Sequence, residues 1–193
     1  DGGRMGKSLG NAYTLDDLAN KGFSPLDFKY FTYSAHYRQK LNFTWDALDA
    51  AQTAHRKIVN ILATWITDPS FEESEPDAVN IKSFNSAISD DLNMPKALAV
   101  LWGVISSTDL KLKTKVATLF EMDKILGLGL EAATKEEAKS RKDIPEEVKR
   151  LVEDREIART QKDFAKADEL RQEIEKRGYT IKDTDGGSIV HKN

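Results

Sequence analysis

Thr44-Trp45-Asp46-Ala47-Leu48-Asp49-Ala50-Ala51-Gln52-Thr53-Ala54-His55-Arg56-Lys57-Ile58-Val59-Asn60-Ile61-Leu62-Ala63-Thr64-Trp65-Ile66 is the stretch that decides the fold. Thr44 stands where a helix cap is wanted, and Leu48, Ala51, Ile58, Ile61, Leu62 and Trp65 recur at helical spacing along one stripe. Three further segments carry stripes of the same kind. Residues 77–89 present Ile81, Phe84 and Ile88; residues 94–106 present Leu98, Leu101, Trp102 and Ile105; residues 111–126 present Leu112, Val116, Leu119, Phe120 and Leu126. The connections are short. Asp68-Pro69 ends the first helix, and the acidic run of Glu72, Glu73, Glu75 and Asp77 reads as a solvated link. Asp90-Asp91-Leu92-Asn93-Met94-Pro95 breaks the chain and restarts it with Asn93 as cap, and Gly127-Leu128-Gly129 stops the last helix. Four such stripes predict an antiparallel helical bundle over 44–129, with Trp65 and Trp102 in its core. Asp90-Asp91 reads as a helix-end turn, because no nucleophile or electrophile-binding motif accompanies the pair.

Upstream, Thr14 caps a short helix with Asp16 and Asp17 in its first turn, which ends by Gly22. Ser24-Pro25 then starts a helix over about 25–35. Residues 23–45 hold half of the chain's aromatic residues, which predicts a compact aromatic core. Tyr37, Arg38 and Lys40 also fit an exposed basic surface of the kind that meets an RNA backbone. Nothing makes His36 a base or a ligand. The chain opens on Asp1-Gly2-Gly3-Arg4-Met5-Gly6-Lys7-Ser8-Leu9-Gly10-Asn11, a glycine-rich loop carrying two cations and a hydroxyl. Such a loop can close over an anion, most often a phosphate.

Downstream, residues 130–144 are small and charged with no apolar stripe, and predict a mobile tether. Residues 145–193 predict a separate αα-β-hairpin unit. Val148, Leu151, Val152 and Ala158 line its first helix; Phe164, Ala167, Leu170 and Ile174 recur along its second, which ends at Gly178. Tyr179–Lys182 and Ser188–His191 read as paired strands around a turn from Asp183 to Gly187. Phe164 is a core residue by spacing and equally a flat ring for stacking on a base. Asp168 shares its face one turn on, where a carboxylate can accept from the N–H groups of guanine, and Arg159 can donate to acceptor edges or a phosphate. Asp168 is equally read as pairing with Arg171 or Arg159 in a surface ion pair of little worth.

Composition bounds the rest. The chain has 193 residues, is 39% hydrophobic and 32% charged, and carries a net charge of −3, so bulk charge does not drive nucleic-acid binding. It has no cysteine, which excludes disulfides, thiolate metal sites and cysteine nucleophiles. Its three histidines, His36, His55 and His191, are too far apart for metal-ligand spacing, so no metal site is expected. No membrane span and no apolar signal region are visible, and a cytoplasmic protein without a membrane partner is expected.

Arg4-Met5-Gly6-Lys7-Ser8 resembles the Lys-Met-Ser-Lys-Ser loop of class I aminoacyl-tRNA synthetases, with Arg4 for the first Lys and Gly6 for the first Ser. Tyr30–Arg38 with Leu41-Asn42-Phe43, Asp91–Ala99, and Ala158–Arg171 with Gly178 and the Asp183 turn narrow the resemblance to cysteinyl-tRNA synthetases. The resemblance covers the whole chain and implies a mainly α protein, a C-terminal portion from the signature loop onward. The regions implied are a loop and stem-contact segment over 1–43, a bundle over 44–129, a linker over 130–144 and an anticodon-binding domain over 145–193.

It implies ATP as cofactor, with Lys7 catalytic and Arg4, Lys7 and Ser8 binding ATP. It implies tRNA-Cys and cysteine as partners, stem contacts at Tyr37, Arg38 and Lys40, and anticodon contacts at Arg159, Phe164, Asp168 and Asp183. Phe164 stands where the family often has Trp, as does Val190 in the closing hairpin. The family's Rossmann domain and its zinc site precede the matched segment. The segment alone is therefore expected to be a monomer that binds tRNA without catalysing ligation. A ligase joining cysteine to a glucosaminyl-inositol shares the loop but lacks the last domain, so residues 145–193 argue against it. A free-standing helical module with no RNA partner leaves the loop unexplained.

Overall fold

Side-chain caps set most of the helix starts. Thr14 and Ser24 each form a capping box, with Asp17 and Asp27, and open α1 (Leu15–Asn20) and α2 (Pro25–Thr32). Thr44, Asp77 and Asn93 accept from backbone N–H groups at the starts of α3 (Trp45–Ile66), α4 (Ala78–Ser89) and α5 (Met94–Ser106). α6 (Leu112–Leu126) ends on Gly127, whose φ of 59° is the left-handed conformation that glycine adopts without strain. α7 (Leu130–Lys142), α8 (Glu146–Thr160), α9 (Phe164–Lys176), β1 (Tyr179–Thr184) and β2 (Gly187–Lys192) complete the order. The computed structural model describes residues 6, 12–69, 71–184 and 187–192. Arg4, Lys7 and Ser8 lie outside the described residues. The chain divides into two compact units, 1–135 and 136–193.

The first unit is a helical bundle. α2 packs on α3, α3 on α6, and α4, α5 and α6 on one another. The stripes read from the sequence face inward: Leu48, Ile58, Leu62, Phe84, Leu101, Leu119 and Leu126 are fully buried. Trp65 and Trp102 are partly buried against this core, and Trp102 Nε1–H donates to Tyr30 Oη at 3.0 Å. α2 is shorter than the expected 25–35; Tyr33 caps it, and its hydroxyl donates to the Leu126 carbonyl at 2.8 Å.

His55 is buried in this unit beside Asp27. Its Nδ1 lies 3.0 Å from Asp27 Oδ1 and its Nε2 3.1 Å from the Leu128 carbonyl, so it bridges α2 to the α6–α7 corner. Burial pushes the Asp27 carboxyl up, but hydrogen bonds from Gln52, His55 and Ser24 outweigh it and hold it below the usual carboxylate range. Asp123 fastens the same corner: its carboxylate accepts from the Leu128 N–H at 2.7 Å and the Leu130 N–H at 2.8 Å.

The expectation of a mobile tether over 130–144 is corrected, because α7 occupies most of that stretch. Glu131–Lys135 and Glu137–Arg141 pair at i,i+4 on a segment rich in good helix formers. Leu130, Thr134 and Ala138 are buried at the same spacing. With one large apolar residue among them, that stripe is invisible to a hydrophobic pattern.

In the second unit α8 and α9 lie side by side, α9 against β1 and α8 against β2. Val148, Ile174, Tyr179, Ile181 and Val190 form its small core. The antiparallel register pairs Asp183 with Ser188 and Thr184 with Gly187. Asp183, expected in the turn, is therefore a strand residue. Asp185 and Gly186, between the two strands in sequence, lie outside the described residues.

Asp123→Ala leaves two buried backbone N–H groups without an acceptor and should destabilise the first unit by about 2–4 kcal/mol. Trp45, Trp65 and Trp102 all lie in that unit, so urea unfolding followed by tryptophan fluorescence reads the change directly. An unchanged midpoint would remove Asp123 from the corner's support.

Candidate nucleic-acid interface

Residues 155, 156 and 159 share one end of α8, and the hairpin register sets Asp183 and Ser188 opposite each other. The two elements meet in a charge cluster. Arg155 donates to Asp183 through both terminal nitrogens, Nη1 to Oδ1 at 2.8 Å and Nη2 to Oδ2 at 3.0 Å. Arg159 Nη1 donates to Asp183 Oδ1 at 2.7 Å. Ser188 Oγ lies within hydrogen-bond reach of Glu156 Oε1 and 2.8 Å from Asp183 Oδ1, and it accepts from Arg155 Nη1 at 2.9 Å. Arg155 hydrogen-bonding holds the Asp183 carboxyl at about 2; burial opposes the shift, and Ser188 and Arg159 add to it. Asp183 is thus an ionised acceptor.

Of the four residues implied as anticodon contacts, Arg159 and Asp183 lie in direct contact. Phe164 and Asp168 lie on α9, both exposed. Phe164 is 65% exposed, so of its two readings the structure leaves the ring available rather than in the core. The helix still buries Ala167, Leu170 and Ile174, which share the other side. Arg171 pairs with Glu175 and Arg159 with Asp183, so among the described residues neither expected ion pair of Asp168 forms. Arg155 was missed by the sequence reading. Its place one turn before Arg159 was the available signal, but nothing local shows that it is buried.

A second cluster lies in the first unit. Tyr37 and Arg38 are exposed, and both reach Asp91: Tyr37 Oη donates to Oδ1 at 2.7 Å, and Arg38 Nε lies 2.7 Å from Oδ2. The Arg38 guanidinium also sits 5.3 Å from the Tyr37 ring centroid. Asp91 has φ of 51°, a left-handed turn that aspartate tolerates better than most residues. Arg38 and then Tyr37 hold its carboxyl below the usual range. The Asp90-Asp91 turn is therefore more than a helix end, because it holds two of the expected stem-contact residues together. Lys40 is exposed nearby in sequence and forms no ion pair among the described residues. No group of three or more His, Cys, Asp or Glu among the described residues could hold a metal, and no described helix is long and apolar enough to cross a membrane.

Residues 141–189 match the family model of the cysteinyl-tRNA ligase anticodon binding domain. Almost the entire chain is similar to curated cysteine–tRNA ligases. It is 38% identical to cysteine–tRNA ligase 1 of Burkholderia lata over 95% of its length, covering 37% of that relative. It is 36% identical to the Borrelia turicatae ligase over 98% of its length, covering 42% of it. It is 38% identical to the Opitutus terrae ligase over 97% of its length, covering 38% of it. The chain thus spans about two fifths of the length of these relatives.

Because the Asp183 carboxyl is held at about 2 in the fold against 3.8 when free, its contribution is complete above about pH 4 and is lost as pH falls through 2. Asp183 is 40% exposed, so after solvent screening the contribution is about 1 kcal/mol. The stability gap between the parent chain and Asp183→Asn, followed by the Tyr179 amide signal in urea, should shrink by that amount between about pH 5 and pH 2. A gap that stays flat would show that Arg155 does not hold this carboxylate.

Proposed function

We propose that this chain supplies the tRNA-reading part of a cysteine–tRNA ligase, the enzyme class its relatives are named for, and that residues 136–193 read the anticodon of tRNA-Cys. The observation that carries the reading is the exposed array in the unit that matches the anticodon-binding family. The Phe164 ring is open to solvent, Asp168 shares its helix face free of either expected ion pair, and Arg159 lies against the ionised Asp183. Unpaired bases are held by stacking on flat side chains and by hydrogen bonds to their edges, and this array offers a ring, two carboxylates and a guanidinium. Tyr37, Arg38 and Lys40 supply cations and a ring to the stem, with Asp91 holding the first two in place. In the whole ligase, which acts in the cytoplasm, Lys7 stabilises charge on the ATP phosphates as cysteine is activated, assisted by Arg4 and Ser8. The described residues contribute recognition rather than bond-making.

In a gel-shift titration the chain should retain tRNA-Cys in preference to a non-cognate tRNA, and Asp168→Ala should weaken the native tRNA by about tenfold more than an anticodon-altered one. Equal losses on both RNAs would mean that Asp168 does not read the anticodon. No retention of any tRNA would favour an interaction module for a protein partner instead. In the whole ligase, Lys7→Ala should slow cysteine-dependent ATP–pyrophosphate exchange by about a hundredfold while leaving tRNA affinity unchanged. The reverse pattern would overturn the role given to Lys7.

A further inference from the structure

The cluster at the hairpin contains one residue that base reading, as described so far, does not use. The Arg155 side chain is only 5% exposed, yet it commits both terminal nitrogens to Asp183, and Nη1 also donates to Ser188 Oγ. Its Nε is buried and meets no acceptor. A buried guanidinium with an orphaned nitrogen is costly, and an apolar residue would fill the space at less expense. What only the planar fork provides is a fixed plane for the carboxylate it grips.

That plane has a consequence for Asp183. A carboxylate offers four lone-pair positions. Oδ1 is crowded by Arg155 Nη1, Arg159 Nη1 and Ser188 Oγ, whereas Oδ2 receives only Arg155 Nη2. One lone pair of Oδ2 is therefore open among the described residues, on a carboxylate that is 40% exposed. Arg159 uses Nη1 on Asp183, and its Nε and Nη2 form no hydrogen bond among the described residues. We infer that Arg155 is a positioning residue for base recognition: it orients Asp183 so that the open Oδ2 lone pair stands beside the free N–H groups of Arg159. An acceptor beside a donor complements the N1–H and O6 of a guanine edge. This rests on the anticodon reading proposed above.

The test uses the full chain and two anticodon stem-loop RNAs that differ only in carrying guanine or 2-aminopurine at the first anticodon position. 2-Aminopurine keeps the purine shape and the 2-amino group but lacks the N1–H and O6. The parent chain should bind the guanine RNA about tenfold tighter or more. Arg155→Met should bring the two affinities to within about threefold, and Arg155→Lys, which keeps the charge without the fork, should fall between. A variant that is merely destabilised would weaken both RNAs in parallel and keep their ratio. An unchanged ratio in Arg155→Met, or in Arg155→Lys if the methionine variant does not fold, would overturn the positioning role and leave the anticodon reading standing. No preference in the parent chain would overturn both.

Discussion

The buried fork of Arg155 on Asp183 is the interaction on which the C-terminal unit depends. Its apolar core is Val148, Ile174, Tyr179, Ile181 and Val190, and each fully buried side chain of this size contributes only about 1.5–3 kcal/mol before chain entropy is subtracted. That burial is non-directional and does not fix where the hairpin lies along α8. The ion pair adds little net stability but fixes that position, linking α8 to β1, and to β2 through Ser188. Removing Asp183 would leave the buried Arg155 guanidinium without its carboxylate, and removing Arg155 would free the half-exposed Asp183 from its grip. The hairpin carrying Asp183 is thus held at one place relative to α8, and the surface beside it inherits that rigidity.

The first unit uses carboxylates in two comparable ways. Inside, Asp27 and Asp123 replace water for backbone and side-chain donors that burial would otherwise leave unpaired, and together with His55 they lock the corner where α6 turns into α7. At the surface, Asp91 gathers Tyr37 and Arg38. Exposed ion pairs of this kind add little stability, so the effect of Asp91 lies in orientation rather than energy. Asp91 and Asp183 each draw basic side chains into a defined posture.

Much of this was legible in the residues. Thr14, Ser24, Thr44 and Asn93 announce helix starts because a short polar side chain can satisfy an N–H of its own first turn. The stripes of Leu, Ile and Phe announce the bundle. α7 was misjudged because a stripe of Leu130, Thr134 and Ala138 has too little apolar weight to show, although its burial is as complete as that of a leucine stripe. Asp183 was misplaced into a turn because Asp-Thr-Asp-Gly-Gly has several turn-formers and only one place for the reversal. Phe164 could not be assigned at all: spacing permits it on the buried face, and its position at the start of α9 exposes it.

The sequence by itself determined most of the helices and several of their caps, the existence of a hairpin, and the similarity to cysteine–tRNA ligases. Those depend on interactions spanning a few residues or on motif strings, both of which are written locally. Only the tertiary structure decided that Arg155 is buried under Asp183, that Asp91 holds Arg38, and that His55 reaches Leu128. Those partners are 28, 53 and 73 positions apart. Contacts across such separations depend on how whole helices pack, and packing follows the summed burial of many side chains rather than any one of them.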